Sequence, residues 1–279
     1  MTSHATKRLE PADAPSTGPV LVTRPEPGVA VVTLDRPKQR NALSLETMAA
    51  LHAAIDALGQ DAGVAAVVLS ANGPAFCAGH DLKELTAHRA DGDGGRIFFR
   101  RTMQACSALM QAIVACPKPV IAAVEATATA AGCQLVATCD LAVASEEARF
   151  CTPGVNIGLF CSTPMVALSR NVPRKRAMEM LLLGELISAR DAADWGLVNS
   201  VAPSGQAVER ALDLARRIAA KSPATVAIGK QTFYRQADMP LAEAYDHAVE
   251  VMVENMLYRD AAEGIGAFIE KRTPQWRGC

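Results

Sequence analysis

The sequence predicts an α/β fold, a core of alternating strands and helices followed by an all-helical tail. Three observations carry this. Short apolar runs at residues 29–34, 65–69, 120–124 and 141–144 have the length and the Val/Ile/Leu/Ala content of buried strands. Segments with apolar residues at helical spacing lie between them, the order that builds a parallel sheet. From Gln206 onward the helical period continues without another strand signal. No composition break argues for independent domains. The expected organisation is an arm over residues 1–19, a core over 20–203 and a helical region over 204–279.

Taken in order, residues 1–19 are rich in Pro, Ala, Ser and Thr, and the charges Lys7, Arg8, Glu10 and Asp13 are mixed. A disordered arm without the apolar segment of a secretory signal is expected. Strands at 20–22 and 29–34 flank Pro25-Glu26-Pro27-Gly28 and read as a hairpin. Ser44 caps a helix in which Leu45, Met48, Ala49, Leu51, His52 and Ile55 keep helical spacing. The strand at 65–69 ends in Ala71-Asn72-Gly73-Pro74, and Phe76 to Leu82 forms a second strand-to-turn element leading into a helix over 82–86. A glycine-rich acidic loop at 91–95 precedes a helix over 96–115, with Phe99, Met103, Cys106, Met110 and Ile113 on one side, stopped by Pro117 and Pro119. After the strand at 120–124 a helix starts near Ala131. A strand at 141–144 follows, then helices at 163–169 and 175–183. Ser188 caps a helix over 189–195 that Gly196 stops, and a short strand at 198–201 closes the core. The tail is helical over 206–220 and again from Pro223, with breaks expected at Pro240 and at 264–266.

Half of the residues are hydrophobic and only 4% aromatic, so Ala, Val, Leu and Ile must build the core. A net charge of −1 leaves no global field to attract nucleic acid or an anionic membrane. No apolar run reaches the ~20 residues that span a bilayer. Eight cysteines, Cys77, Cys106, Cys116, Cys133, Cys139, Cys151, Cys161 and Cys279, form no C-x-x-C pair. Free thiols in a chain this long point to a reducing compartment, the cytoplasm or, for a eukaryote, the mitochondrial matrix. The five histidines lack the spacing of a zinc site, and no metal is expected.

Chemistry is expected at two corners, Cys77-Ala78-Gly79-His80 and Ala130-Ala131-Gly132. In both, a strand turns over almost bare backbone, and a helix starts at the second. Two backbone N–H groups converging on one oxygen stabilise the charge that develops on a thioester carbonyl, each contributing ~2.7–4 kcal/mol. Short Gly/Ala motifs also make ordinary tight turns.

Longer motifs give these corners a context. LDRPKQRNALS, FCAGHDLKEL, KPVIAAV with AAGCQLVATCDLAVAS, and RKRAMEMLLLGELISARDAADWGLVN stand in this order. With them the chain resembles the crotonase (enoyl-CoA hydratase/isomerase) superfamily over residues 20–276. GHDLKEL and CTPGVNIGLFCSTP resemble the enoyl-CoA hydratase domain-containing protein 3 group more than the true hydratases. The resemblance implies a crotonase (ClpP-like) ββα spiral with a C-terminal helical region used in trimerisation, and a homotrimer or dimer of trimers. It implies an acyl-CoA thioester as ligand, with coenzyme A entering as part of the substrate and no separate cofactor. His80 and Ala131 match the two backbone donors; Ala131 stands where the family usually has glycine and keeps the N–H while adding a methyl. Arg36, Lys38 and Arg40 in the basic loop, the backbone of Ala78, and Asp81 and Lys83 match the coenzyme A end. Phe268 and Lys271 match residues that reach the adenine end, often of a neighbouring subunit. Coenzyme A phosphates call for some of these cations, and surface solubility is their plainer role.

The resemblance also implies two glutamates, one base and one acid, that add water across an enoyl double bond. Gln134 and Gly154 occupy their positions. A glutamine orients water but takes no proton, and Gly154 is expected to offer only space. General acid–base groups contribute ~100- to 10,000-fold each, so little ordinary hydratase rate is expected. His80 titrates near neutrality and is a candidate for proton transfer, with packing or a coenzyme A contact as the alternative; a histidine there resembles some crotonase decarboxylases. Cys161 falls in the segment lining the family's acyl pocket and has no adjacent base to activate it. Asn156 can donate to a polar acyl group. Glu125 stands where the family usually has Asn and needs a partner or an exposed position; Glu84 reads as structural. Three readings stay open: a hydratase/isomerase-like enzyme of fatty acid metabolism, an acyl-CoA decarboxylase or thioester hydrolase, and a catalytically silent acyl-CoA-binding protein. A ClpP-like serine protease would need a Ser-His-Asp assembly that the sequence does not offer.

Overall fold

The computed structural model describes residues 18–279, so the arm expected over residues 1–19 lies almost wholly outside the described residues. The hairpin forms from β1 (Val20–Glu26) and β2 (Gly28–Leu34), and Ser44 caps α1 (Leu45–Gln60) by accepting the Thr47 N–H at 3.2 Å. Strand β3 (Val64–Ala71) then leads through the short β4 (Ala75–Cys77) to α2 (Leu82–Ala87) and the long α3 (Arg96–Ala115). The same strand–strand–helix order returns in β5 (Val120–Val124), β6 (Thr127–Thr129) and α4 (Ala131–Thr138). It returns again in β7 (Leu141–Ser145), β8 (Arg149–Cys151) and α5 (Pro164–Asn171). The core closes with α6 (Arg174–Leu183), β9 (Ile187–Ser188), α7 (Ala189–Asp194) and β10 (Ser200–Ala202). Four helices follow, α8 (Ala207–Ala219), α9 (Pro223–Gln236), α10 (Leu241–Met256) and α11 (Arg259–Glu270).

Each repeat contributes one strand to each of two sheets. The longer strands form a six-stranded sheet in the order β1-β2-β3-β5-β7-β10, parallel except for the β1–β2 hairpin. The short strands form a second sheet in the order β4-β6-β8-β9, parallel through its first three members. This is the ββα spiral that the resemblance implies. The small sheet is not legible in the sequence, because β6, β8 and β9 are only two or three residues long and show no alternation.

Alternation along the long strands sends side chains to both faces of the large sheet. Ala30, Val32, Val67, Leu69, Val120 and Ala122 enter the larger apolar cluster with Met48, Leu51 and Ile55 of α1 and with Cys106, Leu109 and Ile113 of α3. Val29, Val31, Ala66, Val68, Ile121 and Ala123 face the other way, against Ala207, Ala211 and Ala215 of α8. Alanine at every fourth position lets that helix lie close to the sheet, so a core poor in aromatics still packs.

Two expectations are corrected. The break expected at 264–266 is absent; α11 runs through both glycines, and the chain turns at Leu257 and Tyr258 instead. The Trp276 ring lies where a Cβ on Gly264 would come within 3.1 Å of it, and its indole N–H donates to the Ala220 carbonyl at 2.9 Å. That packing outweighs the poor helix propensity of glycine. The last core strand is Ser200–Ala202 rather than 198–201, since Leu197 and Val198 are buried just before it.

Helix α9 is tied to the core by a buried ion pair. Lys230 Nζ lies 2.8 Å from Asp140 Oδ2 and donates to the carbonyls of Ile113 and Lys118 at 2.9 and 3.1 Å. Asp140 also accepts the Val120 N–H at 2.6 Å and the Tyr234 hydroxyl at 3.0 Å. Both charges are thereby satisfied, the condition for burying such a pair.

Candidate functional site

Three consecutive corners of the spiral stand side by side. The chain leaves β4 through Ala78 and Gly79 to His80, leaves β6 through Ala130 to Ala131, and leaves β8 through Thr152 and Pro153 to Gly154. Cys77 pairs with Ala128 and Thr129 with Cys151, so the corners are neighbours because the short strands are. The first two touch at Gly132, where an added Cβ would lie 2.2 Å from the Cys77 carbonyl oxygen. Only a residue without a side chain lets α4 start this close to β4.

The backbone at these corners carries two donors. Leu43 bridges His80 in the parallel sense: the Leu43 N–H donates to the Gly79 carbonyl at 2.8 Å, and its carbonyl accepts from Asp81 at 3.3 Å. That pattern turns the His80 N–H away from Leu43. On the other side stands the next corner, with the Ala131 nitrogen 3.3 Å from where a Gly79 Cβ would be. Ala131 opens α4, so its N–H belongs to the helix's first, unpaired turn. Among the described residues neither N–H has an acceptor. Ala130, just before, holds φ 51° and ψ −119°, a conformation that costs a non-glycine residue about 1–3 kcal/mol. Its N–H donates to the Cys151 carbonyl at 2.9 Å and its carbonyl accepts from Gln134 at 3.0 Å, which pins the turn.

A cavity of about 530 Å³ opens at these corners. Leu82 and Leu85 of α2, Met103 of α3 and Phe160 add apolar wall to His80, Ala131 and Gly154. Among the described residues its wall carries no carboxylate, and its ionisable side chains are His80 and Cys161. Among the described residues neither ring nitrogen of His80 has a hydrogen-bond partner, and both are enclosed. Burial holds the imidazole below its ordinary pKa of 6.5, with the nearby Leu43 carbonyl opposing. Burial pushes the Cys161 thiol up, against the Gly154 backbone, so it stays protonated near neutrality.

The structure brings His80, Ala131, Gly154, Asn156, Cys161 and Ala78 together on one wall. The space expected at Gly154 is not there: a Cβ would lie 2.9 Å from both Cys161 Sγ and the Leu159 carbonyl oxygen. Gln134 is absent from this wall. Its Oε1 accepts from the Cys106 thiol at 3.8 Å, and its side chain lines a second cavity. Arg36 turns to the start of α1, donating to Ser44 Oγ at 2.9 Å and Thr47 Oγ1 at 3.3 Å. Lys38 and Arg40 are exposed, and the Arg40 carbonyl accepts the Ala78 N–H at 3.0 Å, which ties the basic loop to the His80 corner. Asp81 caps α2 by accepting from Lys83 and Glu84 at 3.0 and 3.2 Å, and the Lys83 side chain is exposed. Phe268, 86% exposed, and Lys271 lie at the end of α11, away from this wall. Glu84 accepts the Leu45 N–H at 3.2 Å, the structural role expected of it. Glu125 finds its partner in the Val208 N–H at 3.1 Å, in the first turn of α8. Sequence reasoning singled out the Ala130 corner but not its positive φ, of which an alanine gives no sign. It also missed Leu82 and Leu85, which the signal of a short amphipathic turn after His80 could have found.

Comparison with known proteins follows the same lines. A family model described as Enoyl-CoA hydratase/isomerase matches residues 24–279. The chain is 47% identical over 266 residues to enoyl-CoA hydratase domain-containing protein 3, mitochondrial, of Rattus norvegicus, covering 95% of this chain and 87% of that one. A solved enoyl-CoA hydratase of Mycobacterium smegmatis superimposes with a TM-score of 0.88 at 50% identity, covering 92% of this chain and 98% of that one. Human enoyl Coenzyme A hydratase domain-containing protein 3 gives a TM-score of 0.87 at 45% identity, covering 92% and 100%.

Two outcomes are expected from this geometry. Gly132→Ala places a methyl against the Cys77 carbonyl and should lower the urea unfolding free energy by more than about 3 kcal/mol; unchanged stability would contradict the contact. The second concerns pH. Folding favours neutral His80, so its contribution to stability is complete above the ordinary pKa of 6.5 and is lost as pH falls from there toward the lowered folded value. The wild type should therefore lose thermal stability relative to His80→Gln on acidification below 6.5, whereas parallel melting curves would contradict the burial.

Proposed function

The chain belongs to the enoyl-CoA hydratase/isomerase family, and we propose that it binds acyl-CoA thioesters with the thioester oxygen accepting from the His80 and Ala131 N–H groups. One observation carries this reading: the cavity wall holds two backbone donors without acceptors and no carboxylate. Donors of this kind favour an enolate oxygen over a neutral carbonyl, because its charge is greater. The acid–base pair that ordinary hydration needs is missing. Gln134 faces elsewhere, and Gly154 is packed by Cys161. Proton transfer at the carbon next to the thioester falls to His80, whose enclosed imidazole is neutral near pH 7 and able to accept a proton.

The same wall favours decarboxylation as a second reading. When a thioester carries a carboxylate on its α-carbon, the carbon–carbon bond to that group breaks and carbon dioxide leaves. The bonding pair passes into the enolate, and a proton then adds at the α-carbon. No general base is required for the bond breaking, and a wall without carboxylates does not repel the substrate's own.

Lys38, Arg40 and Lys83 are exposed cations, which we propose as partners for coenzyme A phosphates. Exposed Leu241, Tyr245, Val249, Met252 and Met256 form an apolar stripe on α10, and Phe268 and Ile269 extend it on α11. We assign that surface to contacts between subunits of a homotrimer or dimer of trimers, which sets Phe268 and Lys271 near a neighbour's coenzyme A. The rat relative is named as mitochondrial. The free thiols of this chain suit a reducing compartment of either kind, matrix or cytoplasm.

Ala131→Pro tests the reading, since proline removes the N–H at the first position of α4. With malonyl-CoA, methylmalonyl-CoA and crotonyl-CoA as probes, the wild type should leave crotonyl-CoA hydration near background. Its turnover of a carboxylated thioester should fall about 100- to 1,000-fold in the variant. Undiminished turnover would overturn the oxyanion assignment, and tight binding of all three without product would favour the catalytically silent reading.

A further inference from the structure

Ala130 holds φ 51° and ψ −119°. These lie close to the values of roughly +60° and −120° that a type II′ turn demands of its first central residue, a place that glycine takes. Arg40 and Lys271 also have positive φ, but their ψ of 37° and 39° puts them in the left-handed basin that side chains tolerate. Ala130 lies outside that basin. Its turn does not need the methyl. The Ala130 N–H donates to the Cys151 carbonyl at 2.9 Å and its carbonyl accepts from the Gln134 N–H at 3.0 Å, bonds that a glycine would make equally well. Backbone strain of this kind persists where the surrounding structure imposes it, and it gathers at functional sites.

What alanine adds is one methyl, and the structure shows where it goes. Ala130 Cβ lies 2.9 Å from the place that a Cβ on Gly79 would take, and the Ala131 nitrogen lies 3.3 Å from the same place. The methyl therefore packs in the gap between the His80 and Ala131 corners. Ala130 also lines the cavity of about 530 Å³. With its N–H and carbonyl engaged, the methyl side is what it can offer to a ligand.

A thioester oxygen held by the His80 and Ala131 N–H groups puts its carbonyl carbon beside this methyl. That carbon carries two substituents, the sulfur of coenzyme A and the acyl α-carbon. Only the second varies between substrates. We propose that the Ala130 methyl determines specificity by excluding acyl-CoA thioesters branched at the α-carbon. The proposal rests on the acyl-CoA reading given above. A straight acyl chain carries only hydrogens beside its α-carbon and passes. A branch there meets a methyl whose backbone is pinned on both sides, and a close-packed wall gives little.

Calorimetric dissociation constants of the full chain for butyryl-CoA, isobutyryl-CoA and isovaleryl-CoA test it. Isobutyryl-CoA branches at the α-carbon, and isovaleryl-CoA carries the same branch one carbon further on. The wild type should bind isobutyryl-CoA about tenfold or more weaker than butyryl-CoA, the effect of forcing one methyl into filled space. Isovaleryl-CoA should escape that loss. Ala130→Gly should recover most of the isobutyryl-CoA affinity, whereas Ala130→Ser, which keeps a group at Cβ, should retain the wild-type ranking. Because the turn suits glycine, Ala130→Gly should also hold or raise the thermal midpoint, where the same exchange at an ordinary position lowers it. A wild type indifferent to the α-branch would overturn the proposal, as would a folded Ala130→Gly protein that still discriminates. Relaxed selectivity in Ala130→Ser would overturn it too, and a lowered midpoint would remove the strained turn from which it is argued. With butyryl-CoA bound by the wild type, these failures touch branch selectivity alone. If the wild type binds none of the three, the acyl-CoA reading falls and the selectivity with it.

Discussion

The contact between the Cys77 carbonyl and the bare backbone of Gly132 is the constraint on which the site depends. It brings the end of one short strand against the start of α4, where a Cβ would come within 2.2 Å of the carbonyl oxygen. Because β4 and β6 are adjacent in the small sheet, this contact fixes the His80 and Ala131 corners relative to each other. The strained turn at Ala130 follows from it, since α4 must start abruptly to keep that distance. Rigid backbone groups cost no reorganisation when charge develops, so an oxygen site built this way needs no side chain.

A site built on main-chain groups can persist while the side chains around it differ. The donors belong to the main chain and survive substitutions such as alanine for glycine at Ala131. Groups that move protons are side chains, and each can be lost separately. Gly154 is packed by Cys161, and the Gln134 amide faces the Cys106 thiol. The cavity is largely apolar, and among the described residues its wall carries one imidazole, His80.

Much of the fold could be read from the residues, because the strands of the large sheet are long enough to show their burial and the helices carry their caps. Ser44 accepts from Thr47 as its position demands, and Ser188 with Asp191 completes a capping box. The two small-residue corners were also legible, since almost nothing but Gly and Ala tolerates such an approach. The rest was hidden for physical reasons. Strands of two or three residues leave no period to detect, and a helix through Gly264 depends on Trp276, which lies far along the chain. The filling of Gly154 by Cys161, and the direction of the Gln134 side chain, are facts of packing that no spacing encodes.

In the proposed site, the His80 and Ala131 N–H groups polarise a bound thioester carbonyl. Isotope-edited infrared spectroscopy of butyryl-CoA labelled with carbon-13 at that carbonyl measures it most directly. The stretch should lie at lower frequency in the complex than in water, because two fixed donors in an apolar cavity polarise the bond more than solvent does. A bound carbonyl at the aqueous frequency or above would contradict it.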